Sequence, residues 1–240
     1  MSLHHNPRIV TSGLVLALDA ADTNSYPGSG TTWYDLSGTI NGATLVNGPL
    51  YTSRSKGGIV LDGTNDHISI GTTPALDITS QLTLEILVRN EALADASHGD
   101  GLLSKGISDD NNSGVYEMLM VTSGGANYPF IRIRTNSTVT YNPTEIALEL
   151  NKDYHIVGTY NGSIMRMFIN GVEAGSGQAH TGAIELDTGR GLTLGVRYLQ
   201  SGGDGSSQLD GTIYSARIYN RALSDDEVLQ NYQAQKTRFQ

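Results

Sequence analysis

The chain has 240 residues, of which 38% are hydrophobic, and its formal net charge at pH 7 is −9. This acidic balance argues against nucleic acid or an anionic membrane surface as the main partner, because neither attracts a negatively charged protein. The chain has no cysteine, which excludes disulfide bridges, thiolate-bound zinc and a thiol nucleophile. No apolar run approaches the length of a membrane-spanning helix, so we expect no membrane insertion.

The first residues of the chain are polar and lack the apolar core of a secretory signal peptide. We therefore expect synthesis in the cytoplasm. We predict an N-terminal arm over residues 1–11 and a single domain over residues 12–240, since all-β domains of this size are common. The 29 glycines indicate many turns between short strands.

The first predicted strand, residues 13–19, is apolar on both faces, which is typical of a central strand. The loop that follows, residues 20–42, is long enough to indicate either a function or packing by its own side chains. It contains the sole tryptophan, Trp33, next to Tyr34. One interpretation is that the two rings form an aromatic platform for a sugar. The alternative is that Trp33 anchors the loop to the core.

Most of the remaining chain alternates between apolar and polar residues with the period of two that strands require. Two Asn-Gly pairs, residues 161–162 and 170–171, each predict a type I′ turn between neighbouring strands. Arg132 and Arg134 lie on one face of their strand, where they would contact an acidic sugar, a neighbouring subunit or solvent. The predicted strands are residues 43–46, 58–61, 67–70, 82–89, 102–107, 115–122, 130–135, 154–160, 163–169, 172–174 and 192–198.

The last predicted strand alternates strictly over residues 213–220, which places Ile213 on one face with Ser215 and Arg217. The period then changes. Ser224 and Glu227 have the capping-box spacing, in which each side chain bonds a backbone N–H at the start of a helix. We predict one short helix after Ser224.

The order of these elements resembles the laminin-G-like, concanavalin A-like jelly roll. The resemblance rests on residues 58–68, with their apolar-Asp-Gly-x-x-Asp pattern, on residues 82–88, on the meander over 154–172 and on residues 209–224. It implies an all-β fold, a two-sheet antiparallel jelly-roll sandwich with one short C-terminal helix. It also implies binding of carbohydrate or protein.

The opening of the chain, residues 13–38, is similar to the version of this domain that tailed-bacteriophage virion proteins carry. In that setting the resemblance implies a capsid decoration, fibre or appendage component. Its partners would be other virion proteins or further copies of itself in a homo-oligomer. The protein would be located in the virion.

Some glycoside hydrolases share this fold, so a catalytic pair of carboxylates is an alternative. Hydrolysis needs two carboxylates across one cleft, and related hydrolases place them on one strand as Glu-x-Asp-x-x-Glu. Glu85 and Glu117 lie on predicted strands, but neither is followed by such a partner. We therefore expect a protein that is not an enzyme.

Two groups of oxygen-bearing side chains are candidates for Ca²⁺, the one cofactor that we consider. Residues 109–114 superficially fit an EF-hand loop, but Met120 stands where the bidentate glutamate belongs, so a hairpin loop is the better interpretation. Many laminin-G-like domains hold calcium at a sheet rim, and that resemblance implies Asp62, Asp66 and Asp210 as ligands. The alternative is that Asp62 and Asp210 cap tight turns through their own side chains.

Two functions follow from these observations. The first is a non-enzymatic phage virion structural protein whose jelly roll binds glycan or protein. The second is a cellular carbohydrate-binding or adhesion module that uses Trp33, Tyr34 and a Ca²⁺ ion. A glycoside hydrolase is the least favoured function.

Overall fold

The computed structural model describes residues 7–106, 115–136, 138–197 and 207–238. Within these residues it contains seventeen strands and one α-helix. The strands are β1 (Leu14–Asp19), β2 (Thr32–Trp33), β3 (Ala43–Val46), β4 (Leu50–Thr52), β5 (Gly58–Asp62), β6 (His67–Ile70), β7 (Leu82–Asn90), β8 (Asp100–Lys105), β9 (Tyr116–Ser123), β10 (Ala126–Thr135), β11 (Thr138–Pro143), β12 (Asp153–Tyr160), β13 (Ile164–Ile169), β14 (Val172–Glu173), β15 (Gln178–Ala179), β16 (Leu192–Leu194) and β17 (Asp210–Tyr219), and the helix is α1 (Asp225–Gln235).

The strands form two sheets in which every pairing is antiparallel. The nine-stranded sheet has the order β14-β13-β12-β7-β17-β5-β4, with β1 added to β17 and β15 added to β13. The eight-stranded sheet has the order β11-β10-β9-β8-β16-β6-β3-β2. The predicted fold class, a jelly-roll sandwich with a short C-terminal helix, is confirmed.

The core lies between the two sheets because alternate residues of each strand face inward. Leu84 and Ile86 of β7 pack in one cluster with Met118 of β9 and Ile131 of β10. The residues between them face away from the core, and we call that side of each sheet its outer face. The short strands β4 and β15 and the strand β11 were not predicted, and β2 lies inside the predicted long loop.

Two predictions of local geometry are wrong. The register between β17 and β7 shifts after Ile213, so Ile213 packs in the core with Ala216 and Ile218 rather than on the face of Arg217. A β-bulge at Tyr214 has this effect, since it adds one residue to one strand. Of the two Asn-Gly turns, only residues 170–171 have positive φ at both positions, 52° and 81°. At residues 161–162 the Asn161 side chain instead accepts from two following backbone N–H groups.

The predicted helix start at Ser224 is confirmed. The Ser224 hydroxyl accepts from the Glu227 N–H at 3.3 Å, and the Glu227 carboxylate accepts from the Ser224 N–H at 2.9 Å. The helix lies on the outer face of the nine-stranded sheet, where Val228 packs with Phe168 and Tyr219. Residues 7–11 of the predicted arm pack there too, since the Val10 N–H donates to the Asn231 side chain at 2.8 Å.

A buried polar network joins α1 to the sheet beneath it. The Arg217 guanidinium donates to Glu85 at 2.9 Å, and the side-chain amides of Asn231 and Gln235 donate to the same carboxylate at 2.6 and 3.0 Å. Burial alone would raise the pKa of Glu85, but the Arg217 charge and the bonds from His155 and Asn231 lower it to about 2. The carboxylate is therefore ionised and fully paired under the helix.

We expect the Arg217→Met variant to lose about 3–5 kcal/mol of unfolding free energy, because it leaves Glu85 as an unpaired buried charge. The measurement is urea denaturation at pH 7. The double variant Glu85→Gln/Arg217→Met should recover part of the loss, since it removes that charge.

The matched control is Arg166→Met, because Arg166 pairs with Glu173 and Asp225 at the surface. Exposed pairs of this kind contribute about 0–1 kcal/mol. Equal losses in the two single variants would contradict the role of the buried pair.

Candidate functional site

A continuous row of polar side chains crosses the outer face of the eight-stranded sheet. Each member stands directly opposite the next on the neighbouring strand, and each alternates with core residues. We call these residues the polar row. In spatial order they are Arg132, Glu117, Ser104, Thr193, Ser69, Thr44 and Thr32.

The charged end of the polar row is buried. Glu117 accepts from Ser104 at 2.7 Å, from the Arg132 Nε at 2.8 Å and from the Arg197 Nε at 3.3 Å. Burial alone would raise the pKa of Glu117, but the two guanidinium groups outweigh it and lower the pKa. Arg134, next along the outer face, pairs with Glu185 at 3.0 Å.

The hydroxyl end of the polar row is open and lies beside a shallow pocket. Ser69 is partly buried, whereas Thr44 and Thr32 are exposed. The pocket, which we call the edge pocket, has a volume of about 340 Å³ and a lining without charged groups. Its lining residues are Thr39, Ile40, Asn41, Gly42, Gly71, Thr72 and Thr73.

The two predicted sugar-platform residues have different environments. Trp33 is 0% exposed, so its ring cannot stack on a ligand and that part of the prediction is wrong. The alternative interpretation, an anchor to the core, describes its position. Tyr34 is 48% exposed. Its backbone adjoins Gly42 of the edge pocket, because a Cβ added to Gly42 would lie 2.9 Å from the Tyr34 Cα.

The predicted metal ligands lie at one edge of the nine-stranded sheet. Asp62 pairs with Asp210 across β5 and β17, and its charge raises the pKa of both Asp210 and Asp66, after the larger effect of burial. However, the Asp62 Oδ1 already accepts from three backbone N–H groups, those of residues 64–66. Among the described residues, no three acidic or histidine side chains are arranged to hold a metal ion.

Asp100 was missed in the sequence and extends this acidic cluster. It is 5% exposed, and burial followed by the charges of Asp95 and Asp210 raises its pKa to about 7. We call Asp62, Asp66, Asp95, Asp100 and Asp210 the acidic rim. The other calcium candidate, residues 109–114, lies outside the described residues.

The two strand glutamates, each considered as a candidate catalytic carboxylate, lie on opposite sides of the molecule. Glu85 is on the outer face of the nine-stranded sheet under α1, and Glu117 is on the outer face of the eight-stranded sheet. The core separates them, so they do not face one cleft. Each is ion-paired with arginine.

Residues 61–229 match the concanavalin A-like lectin/glucanases superfamily. Because the match covers well over half of the sequence, the chain belongs to this family. The laminin-G-like resemblance is thereby confirmed at the level of the family. No curated protein matches the chain.

Several solved structures share the fold at low sequence identity. One is domain 4 of AbnA, a GH43 extracellular arabinanase from Geobacillus stearothermophilus, in complex with arabinotriose. It has 18% identity and a TM-score of 0.68, over 92% of this chain and 98% of that one. The binding domain of Paraclostridial Mosquitocidal Protein 1 has 17% identity and a TM-score of 0.67, over 92% of this chain and 52% of that one.

The sialidase of Trypanosoma rangeli has 18% identity and a TM-score of 0.62, over 94% of this chain. The chain spans only 33% of the length of that enzyme. These similarities establish the shared fold. In the part of the chain that the structure describes, no helix is long and apolar enough to cross a membrane.

We expect Asp100→Asn to stabilise the protein at pH 8 but not at pH 4. The pKa of Asp100 is raised from 3.8 to about 7, so between these pH values the folded state holds a proton that the unfolded state releases. Stability is therefore lost as the pH rises, by up to about 4 kcal/mol, since one pKa unit corresponds to about 1.4 kcal/mol. Thermal unfolding at both pH values is the measurement.

The control is Asp226→Asn, because Asp226 is exposed in the first turn of α1. This variant should gain no stability at either pH. An Asp100→Asn variant that is less stable than the parent at pH 8 would show that the carboxylate is not a buried, strained charge.

Proposed function

We propose that the protein is a non-catalytic glycan-binding module that holds its ligand at the edge pocket and along the open end of the polar row. The observation that carries this proposal is the position of the exposed Tyr34 beside a pocket lined by hydroxyl and amide groups. Sugars present hydroxyl groups to such side chains and an apolar ring face to an aromatic ring.

The two outer faces differ in a way that supports this choice. α1, the only α-helix among the described residues, covers the nine-stranded sheet. On the eight-stranded sheet, Thr32 and Thr44 remain exposed. The related arabinanase domain was solved with arabinotriose, which further favours a saccharide as the ligand class.

The two strand glutamates, Glu85 and Glu117, are not arranged for catalysis. A glycosidase needs a general acid that still holds its proton at the working pH, near a second carboxylate. Glu85 and Glu117 face away from each other, and arginine partners lower the pKa of both. Neither of these two glutamates is suited to donate a proton, which supports the proposal that the protein is not an enzyme.

We expect Tyr34→Ala to lower binding to a glycan array by about tenfold, because stacking on an aromatic ring contributes on the order of 1 kcal/mol or more. The array should be probed with the wild-type protein first, to identify the bound glycan. That glycan should then be incubated with the protein, and no new reducing ends should appear.

The matched control is Tyr51→Ala, which removes an exposed tyrosine from β4 of the other sheet. It should bind as the wild-type protein does. Equal binding by Tyr34→Ala and wild type would contradict the edge pocket as the site, and turnover of the glycan would contradict the non-catalytic role.

A Ca²⁺ requirement remains a proposal that the same array can test. Asp62, Asp66 and Asp210 bring carboxylates to one rim, where an added cation would relieve their mutual repulsion. Binding that is lost in EDTA and restored by Ca²⁺ would support the proposal. Unchanged binding would contradict it.

A phage virion component is the second candidate, and it rests on the similarity of residues 13–38 to that version of the domain. In this setting the module would decorate a head, tail or fibre, bind other virion proteins and assemble with copies of itself, since such appendages are usually symmetric. The glycan site would then face outward from the particle.

Mass spectrometry of purified particles tests this candidate. We expect the protein to be enriched in particles relative to the lysate of the producing cells. An abundant cytosolic protein measured in the same fractions is the control. Recovery of the protein from cells alone would contradict the virion location.

A further inference from the structure

A second pocket lies on the nine-stranded sheet, at the C-terminal end of α1. It has a volume of about 340 Å³, which is enough for one small ligand. We call it the basic pocket. Its lining residues are Arg89, Asn151, Lys152, Asp153, Asn170, Tyr232 and Lys236.

The charge of the basic pocket is opposite to that of the whole chain. Three cationic residues and only one carboxylate line it, whereas the chain as a whole carries −9. Lys236 is exposed and has no ion pair within the described residues. Among the described residues, the one ion pair of Lys152 is with Glu149, and both side chains are more than half exposed. Glu149 therefore neutralises the positive charge of Lys152 only weakly.

Asp153 fixes the floor of the basic pocket. Its carboxylate accepts from Ser55 at 2.8 Å, from the Tyr214 hydroxyl at 3.0 Å and from Arg89 at 3.2 Å. Arg89 is held from a second side by Glu91 at 3.2 Å. The guanidinium is therefore positioned before any ligand arrives, which lowers the entropic cost of binding.

Several non-glycine residues around the basic pocket have positive φ. Asn151 and Asn170 line it with φ of 62° and 52°, and Ser55 and Lys56, beside Asp153, have φ of 49° and 70°. Within the described residues only two further non-glycine residues, Asn47 and Asn136, have positive φ. Asn tolerates this conformation in turns, so two turns place Asn151 and Asn170 in the lining of the pocket.

We propose that the basic pocket binds a carboxylate-bearing sugar ring. Lys152 and Lys236 match the carboxylate, because cations bind anions through charge-assisted hydrogen bonds. Asn151 offers an amide group to ring hydroxyls, as does the NH2 group of Asn170, whose Oδ1 accepts from the His155 N–H at 3.0 Å. The Tyr232 ring, which contacts the His155 ring, lines the pocket and offers an apolar surface to the sugar face. A simple inorganic anion would use the cations but neither the amides nor the ring. This site is separate from the edge pocket and does not depend on it.

NMR titration of the labelled full chain tests this site with three probes at equal ionic strength, namely glucuronate, glucose and acetate. We expect glucuronate to shift amide signals of residues 151–153, 170 and 232–236 and to bind at least tenfold more tightly than glucose or acetate. Lys236→Gln should weaken glucuronate binding about three- to tenfold, which is the effect of one exposed charge.

The matched control is Arg190→Gln, which removes one exposed positive charge outside the basic pocket. It should bind glucuronate as the wild-type protein does. Equal weakening in both variants, or acetate binding as tight as glucuronate binding, would overturn the proposal, as would an absence of shifts.

Tyr34→Ala separates this proposal from the edge-pocket function. It should leave the glucuronate shifts unchanged, because Tyr34 lies on the other sheet. Loss of array binding with intact glucuronate binding would establish two sites. Glucuronate shifts at residues 39–42 and 71–73 instead would assign the acidic sugar to the edge pocket and overturn the basic pocket as its site.

Discussion

The buried ion pair between Glu85 and Arg217 determines which surfaces of this sandwich are available. It lies on the outer face of the nine-stranded sheet, where an uncovered carboxylate and guanidinium would bind water. Helix α1 covers the pair and supplies amides from Asn231 and Gln235 to the carboxylate. Since desolvated charges are tolerated only when fully paired, the helix and the pair require each other. The centre of this face is therefore structural, and binding is left to its margin and to the other sheet.

On the outer face of the eight-stranded sheet, the buried carboxylate is neutralised in a different way. Glu117 is neutralised by Arg132 and Arg197, which lie over the same face, and no α-helix is involved. Beyond the buried Glu117, Ser104 and Thr193, the polar row becomes open at Ser69, Thr44 and Thr32. This difference in exposure matters for binding of a ligand. The side chains at the charged end are held in ion pairs and hydrogen bonds, whereas the open end offers hydroxyl groups near Tyr34. A ligand that bonds through hydroxyls can bind at the open end without breaking an ion pair.

Features that depend on residues close together in the sequence could be predicted, whereas features that depend on the register between strands could not. The capping box of Ser224 and Glu227 needs only three residues of spacing, and it is present. The bulge at Tyr214 places Ile213 on the face opposite to the predicted one. The sequence could not predict the bulge, because no local pattern marks an inserted residue. The sequence left two interpretations of Trp33, a sugar platform or a core anchor, because its burial depends on strands far along the chain. The polar row joins seven strands, so it appears only once their register is known.

The placement of charge distinguishes the two proposed sites. The edge pocket has no charged lining residue, so its affinity for a sugar should depend little on the acidic field of the protein. The basic pocket, in contrast, adjoins the acidic rim. Arg89 pairs with Glu91, and the charge of Glu91 contributes, after burial, to the raised pKa of Asp210. A carboxylated sugar would therefore be attracted by Lys152 and Lys236 and repelled from the rim, which fixes one orientation of the ring. The acidic rim would then determine the orientation of a ligand in the neighbouring pocket, even without a bound cation.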